Sequence, residues 1–285
     1  MKNEISRIMC INSLSLFGKN ALTIMLPVLS AAGLEAVPLP SVMLTSQPGG
    51  LPGYSYRTLS GEMEEALTQW RALGLEFDAL YSGFLCSKEQ VEITAWAFET
   101  FGRPGSLKLV DPAMADNGKM YAFLDENFPV HMAKLCKMAD IITPNITEAC
   151  FLLGEDYSEG VTIREYFDHL LDRLAAAFPA RIIVLTGVHA DEDRIGSAVF
   201  DRADGCVNFV MGKKLPGHFH GTGDLFASAM TAGLLRGMPT LEAVEVGQEM
   251  VTRAIGQTTK LTRNPRHGLV FEPELGWLID RLNRQ

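Results

Sequence analysis

Two rhythms of apolar residues run along the chain. In the first, short apolar runs stop at polar residues: Ile8-Met9-Cys10-Ile11 at Asn12-Ser13, Leu109-Val110 at Asp111-Pro112, Ile141-Ile142 at Thr143-Pro144-Asn145, and Ile182-Ile183-Val184-Leu185 at Thr186-Gly187. Near-continuous apolar runs of this length read as strands buried on both faces. In the second, apolar residues recur at helical spacing, as in Leu22, Met25, Leu26 and Leu29, or Met63, Ala66, Leu67, Trp70 and Leu73. That spacing lines one face of a helix. Pro27 is expected to kink the first of these helices.

Together the rhythms predict strands over 8–13, 77–85, 107–111, 140–145 and 181–187. Residues 36–45, with Pro38 and Pro40, suit an edge or hairpin element, and 195–200 with 206–211 suit a hairpin turning at 201–205. Helices are predicted over 22–33, 63–73, 89–101, 130–138, 146–153, 163–178, 224–236, 240–257 and 274–283. Strands alternating with helices imply a three-layer α/β/α sandwich around a central, mostly parallel sheet. No repeat or low-complexity linker interrupts the pattern, so one domain over 1–285 is expected.

Composition narrows the function classes. Hydrophobic residues make up 47% and charged residues 21%, which fits a folded chain rather than a disordered one. A formal charge of −9 without a Lys/Arg cluster argues against general nucleic-acid binding. No apolar run approaches the roughly 20 residues of a membrane span, and the stretch Met1 to Arg7 lacks the apolar core of a signal peptide. A cytoplasmic protein is expected. The cysteines Cys10, Cys86, Cys136, Cys150 and Cys206 are scattered and never spaced as Cys-x-x-Cys, which points to neither a disulfide framework nor a zinc site.

Ligands of open parallel sheets bind beyond the carboxyl ends of the strands, so the polar residues that stop the runs should converge. Those residues are Ser13, Asp111, Thr143, Asn145, Thr186 and Gly187, with Asp116 and Glu148 close behind. Gly221-Thr222-Gly223-Asp224 opens a helix, where inward-turned amides and the helix dipole suit a phosphoryl group. A carboxylate at Asp224 can take the proton of an attacking hydroxyl. Asn145 and Glu148 share a helix face and, with Asp116, can point at a magnesium ion that keeps several waters. Each feature also has a plain structural reading: Asp111-Pro112 as a turn, Asn145 with Glu148 as a capping box, Gly-Thr-Gly-Asp as a helix start.

On these residues the chain resembles the pyridoxal kinases of the ribokinase-like superfamily. The matching segments are Ser82-Gly83-Phe84-Leu85, Asp111-Pro112-Ala113-Met114-Ala115-Asp116-Asn117-Gly118-Lys119-Met120-Tyr121, Ile142-Thr143-Pro144-Asn145-Ile146-Thr147-Glu148-Ala149 and Gly221-Thr222-Gly223-Asp224. The resemblance implies a homodimer that uses Mg-ATP, with a monovalent cation such as K⁺ admitted, to phosphorylate the 5′-hydroxymethyl of pyridoxal, pyridoxamine or pyridoxine. It implies Asp224 as base and Gly221, Thr222 and Gly223 as anion hole. Asp116 and Glu148 are implied at magnesium, and Asp111, Thr143, Asn145, Thr186 and Gly187 at ATP. Ser13 or Ser15, Thr45, Gln47, Phe84 and Asp224 are implied at the vitamer.

The chain departs from that pattern mainly where the family holds the pyridine ring. Ser46-Gln47-Pro48-Gly49 replaces the usual Ser-His-Thr-Gly, Phe84 replaces Tyr, Cys86 replaces Gly and Ala113 replaces Val. Two alternatives follow: a hydroxymethylpyrimidine kinase, disfavoured because many carry Cys in place of Asp224, and a vitamer-binding relative without catalysis.

Overall fold

The computed structural model describes residues 5–261 and 264–284. Residues 1–4, part of the stretch expected to lack the apolar core of a signal peptide, lie outside the described residues. In chain order the elements are β1 (Arg7–Ser15), α1 (Leu22–Ala31), β2 (Glu35–Leu44), β3 (Tyr56–Thr58), α2 (Ser60–Ala72), β4 (Phe77–Ser82), α3 (Lys88–Thr100) and β5 (Gly102–Val110). There follow β6 (Ala115–Asp116), β7 (Lys119–Met120), α4 (Phe128–Cys136), β8 (Ile141–Ile142), α5 (Ile146–Leu153), α6 (Arg164–Ala177), β9 (Ile182–His189), β10 (Arg194–Asp201), β11 (Cys206–Lys213), α7 (Thr222–Leu235), α8 (Thr240–Lys260) and α9 (Leu275–Leu282).

The main sheet runs β11-β10-β9-β8-β5-β4-β1-β2-β3. From β9 across to β2 every pairing is parallel; β10, β11 and β3 are antiparallel additions at the two sides. Because side chains alternate across a strand, a fully apolar run must bury both faces. Ile8 and Cys10 face one layer while Met9 and Ile11 face the other; Ile182 and Val184 oppose Ile183 and Leu185 in the same way. One core layer is closed by α2 to α6 and the other by α1, α7, α8 and α9, which makes the expected α/β/α sandwich. Each Leu, Ile or Phe buried here contributes on the order of 1.5–3 kcal/mol.

Several boundaries differ from expectation. Strand β1 does not stop at Asn12-Ser13: Leu14 and Ser15 still pair with Met43 and Leu44, so Ser15 is a strand residue rather than a loop residue. Strand β9 carries Gly187 within it and runs on to His189, against β10. Helix α1 continues through Pro27, its apolar face of Leu22, Ile24, Met25, Val28 and Leu29 buried. Residues 36–45 take the hairpin alternative: the end of β2, Val42 to Leu44, pairs antiparallel with β3, the last strand of the sheet. Among the described residues, no helix is long and apolar enough to cross a membrane.

The sheet order reverses at β1, which leads to β2 on one side and lies beside β4 on the other. Strand order reversal opens a crevice at the carboxyl ends. There the Asn12 side chain of β1 meets Asp224 at the start of helix α7.

Candidate active site

Helix α7 begins at this crevice. Its N-cap, Gly221, has φ +85°, and a Cβ there would lie 2.7 Å from the Lys19 carbonyl oxygen, so only glycine fits. Gly221 offers no capping side chain, and the first helical bond is Leu225 N–H to its carbonyl. The amides of Thr222, Gly223 and Asp224 are therefore left to a ligand at the positive end of the helix. A side chain added at Gly223 would meet nothing within 4 Å, which leaves room for an anion.

Asp224 is held from two sides. Its Oδ2 accepts the Ala21 N–H at 2.8 Å and its Oδ1 the Asn12 amide at 3.4 Å. Burial pushes its carboxyl up to about 6, against these two donors, which favour the charged form. Asn12 is the hub. Its Oδ1 accepts the N–H groups of Ser13, at 2.8 Å, and Phe84, at 2.9 Å, which joins β1, the end of β4 and Asp224. Gly83 makes that approach feasible, since a Cβ on it would fall 2.2 Å from the Asn12 amide nitrogen.

Asp111 follows β5, and burial, then the neighbouring Asp224 charge, raises its carboxyl to about 8. Glu148 is pushed well above the usual carboxylate range by burial and by Asp111. It closes a capping box with Asn145 at the start of α5, and its Oε1 also accepts the Met114 N–H at 3.1 Å. The structural reading of Asn145 and Glu148 is thus realised; it fixes both side chains at the crevice. The Asn145 amide donates to the Ala115 carbonyl, and Thr186 continues the ladder through its N–H to the Pro144 carbonyl. Thr143 is buried with its hydroxyl unpartnered.

Asp116 lies on the β6–β7 hairpin, whose tip is tied to α5 by Gly118 N–H to Thr147 Oγ1 at 3.0 Å. The Tyr121 hydroxyl is driven above its ordinary range by burial, then by Glu148, Asp116, Asp111 and Asp224. Tyr121 thus lies within reach of the charge on all four carboxylates. Among the described residues, no lysine or arginine pairs with them.

The loop after β2 is engaged with the protein itself. The Gln47 amide bonds Gly49 and the Arg266 carbonyl, and Thr45 Oγ1 exchanges bonds with Ser55 across the loop's neck. Phe84 follows β4, half-buried, beside Tyr121 and Phe123. Sequence reasoning did not single out Asn12, Ala21 or the β6–β7 hairpin. An asparagine inside an apolar strand is the signal that could have found the first.

The raised pKa of Asp111 predicts how stability depends on pH. The unfolded chain releases the Asp111 proton near the ordinary 3.8, while the fold keeps it up to about 8. Stability is therefore lost as pH rises from about 4 to about 8. Asp111→Asn is expected to raise Tm at pH 8 by at least about 2–4 °C, the size of a gain of about 1 kcal/mol, and to leave Tm near pH 4 unchanged. Calorimetry at the two pH values checks this; equal Tm values for both proteins at pH 8 would contradict it.

Comparison with known proteins agrees with this geometry. The family model described as phosphomethylpyrimidine kinase matches residues 55–270. A Bacteroides thetaiotaomicron protein provisionally named a phosphomethylpyrimidine kinase is 30% identical, with 98% of this chain and 95% of that one covered at a TM-score of 0.92. A second crystal form of it, with pyridoxal, is 31% identical, with 96% of each chain covered at a TM-score of 0.88. Pyridoxal kinase from Lactobacillus plantarum is 29% identical, with 97% of this chain and 98% of that one covered at a TM-score of 0.89. The thiamine biosynthesis bifunctional protein ThiED of Geobacter sulfurreducens is 32% identical over 193 residues, 68% of this chain; the match spans only 37% of that longer protein. The chain belongs to the phosphomethylpyrimidine kinase family of the ribokinase-like superfamily and is a phosphotransferase with an alcohol as acceptor.

Proposed function

We propose that the protein transfers the γ-phosphoryl group of ATP to the 5′-hydroxymethyl of a vitamin B6 vitamer. The observation that carries this reading is Asp224, a half-buried carboxylate with its pKa raised to about 6, in the same helical turn as the free amides of α7. A base of that pKa is ionised at neutral pH yet basic enough to take a developing proton. In the proposed step the acceptor hydroxyl gives its proton to Asp224 as its oxygen bonds to the γ-phosphorus. The bond from that phosphorus to the bridging oxygen breaks, and ADP leaves with the electron pair. The amides of Thr222, Gly223 and Asp224 meet the charge on the equatorial oxygens. Asp111, Thr143, Asn145, Thr186 and Gly187 lie along the triphosphate in this reading.

Magnesium fits the donor set. Asp111 lies within reach of the charges of Asp224 and Glu148; among the described residues no Lys or Arg pairs with these acids, and no three His, Cys, Asp or Glu form a ready-made metal cluster. A site with few carboxylates suits an ion that keeps its waters and leans on phosphates. Asp116 and Glu148 would hold it, and when bound it supplies neutralisation of phosphate charge.

Pyridoxal in the Bacteroides crystal form and the Lactobacillus pyridoxal kinase support the vitamer. The family description and ThiED favour a second reading, hydroxymethylpyrimidine as acceptor. Phe84 keeps a stacking face for either ring. Assayed with Mg-ATP, at least one of pyridoxal, pyridoxamine and pyridoxine is expected to show kcat/KM about tenfold or more above hydroxymethylpyrimidine. The reverse order would select the second reading. Binding of a vitamer without phosphate transfer to any acceptor would contradict both.

A further inference from the structure

Phe123 sits at the tip of a turn closed by Leu124 N–H on the Tyr121 carbonyl at 3.0 Å. Its ring stands edge-on to Phe84, with centroids 5.4 Å apart and planes at 88°. The Tyr56 ring, on the edge strand β3, lies 5.8 Å from that of Phe123, and the Tyr121 ring lies 6.2 Å from that of Phe84. Rings from three separate segments thus meet in one cluster that belongs to neither core layer and stays partly exposed. Phe84 N–H and Asp224 both bond the Asn12 side chain, so the Phe84 end of the cluster stands one side chain from the reacting carboxylate. Tyr121, beside Phe84, lies within reach of the charges of Glu148, Asp116, Asp111 and Asp224.

A half-exposed wall of rings beside a polar crevice is suited to cover a flat partner, because rings prefer edge-to-face or offset contact and gain from losing water. We infer that Phe123 is a specificity-determining residue for the acceptor: with Phe84 and Tyr56 it forms an aromatic wall that selects a flat heterocyclic alcohol over an aliphatic one. This rests on the kinase reading above and names the side chain that sorts its acceptors. The turn tip supplies a ring that Phe84 alone, without the hydroxyl of a tyrosine, does not.

The test compares wild type with Phe123→Ala, Phe123→Leu and Phe123→Tyr. The steady-state KM for the preferred heterocyclic alcohol and for ATP is measured, together with equilibrium binding of the alcohol without nucleotide. The Ala and Leu variants are expected to raise acceptor KM and Kd roughly three- to tenfold, with kcat and ATP KM within about twofold, and the Tyr variant to restore wild-type values. Leu keeps apolar volume without a ring, so a merely structural role would move ATP KM or leave the Leu variant normal. Unchanged acceptor KM in both the Ala and the Leu variant of a working enzyme overturns the inference and leaves the kinase reading standing. A lowered acceptor KM, the mark of a ring that blocks the slot, overturns it too. Failure of wild type to bind or phosphorylate any heterocyclic alcohol overturns the kinase reading and the inference with it.

Discussion

Asp224→Ala is expected to lower turnover by about 10²–10⁴, the usual yield of general-base catalysis, while ATP KM stays within about twofold of wild type. In the proposed reaction the carboxylate meets the acceptor proton, and the amides proposed to hold phosphate belong to the backbone, which the substitution leaves in place. Loss of fold does not account for the expected drop. Truncation leaves the Ala21 N–H and the Asn12 amide without their acceptor, at about 1–3 kcal/mol for each group that stays dry, but it also relieves a charge whose burial is unfavourable. Tm should move little. Steady-state kinetics with calorimetry checks both parts, and a variant with near-normal turnover would remove Asp224 from the mechanism.

Asn12→Ala is the second large effect, and its signature is a shift rather than a simple loss. The Asn12 amide favours the charged form of Asp224, so its removal pushes that carboxyl further up. The contact is long, at 3.4 Å, so the acid limb of kcat/KM is expected to move to higher pH by about half a unit to one unit. The same substitution strips the acceptor from the Ser13 and Phe84 N–H groups, which costs about 1–3 kcal/mol for each that stays dry. Phe84 then loses its fixed distance from the base, and kcat should fall at least about tenfold. A pH profile of the variant checks the sign: an acid limb that stays put, or moves down, would mean that Asn12 does not tune Asp224.

Much of this architecture is legible in the chain because parallel strands buried on both faces tolerate little but apolar residues. Ile8 to Ile11 and Ile182 to Leu185 leave few alternatives, and the polar residues that follow such runs fall at the carboxyl edge by topology alone. Strand ends are harder to read. Ser15 looks like a loop residue, yet backbone pairing with β2 does not depend on its side chain. The β6–β7 hairpin is too short for any periodicity, although its turn, Asn117-Gly118 with both φ positive, carries a recognised two-residue hairpin signal. At the site, Asp111, Thr143, Asn145, Glu148 and Asp224 are found where strand and helix ends put them. What stays hidden is side-chain partnership across distant segments. Asn12 meets Phe84 and Asp224, and Gln47 spends its amide on Gly49 and Arg266, pairings that only the folded chain brings together.

Rapid-quench measurement of a single turnover across pH puts the account to its most direct test, because it sees phosphoryl transfer apart from binding and release. With enzyme in excess over acceptor and Mg-ATP saturating, the transfer rate should climb to a plateau with a midpoint at about 6, set by ionisation of Asp224, and Asp224→Ala should flatten the curve at its foot. A rate that does not change between about pH 5 and about pH 8, or a wild-type curve in the alanine variant, would contradict it.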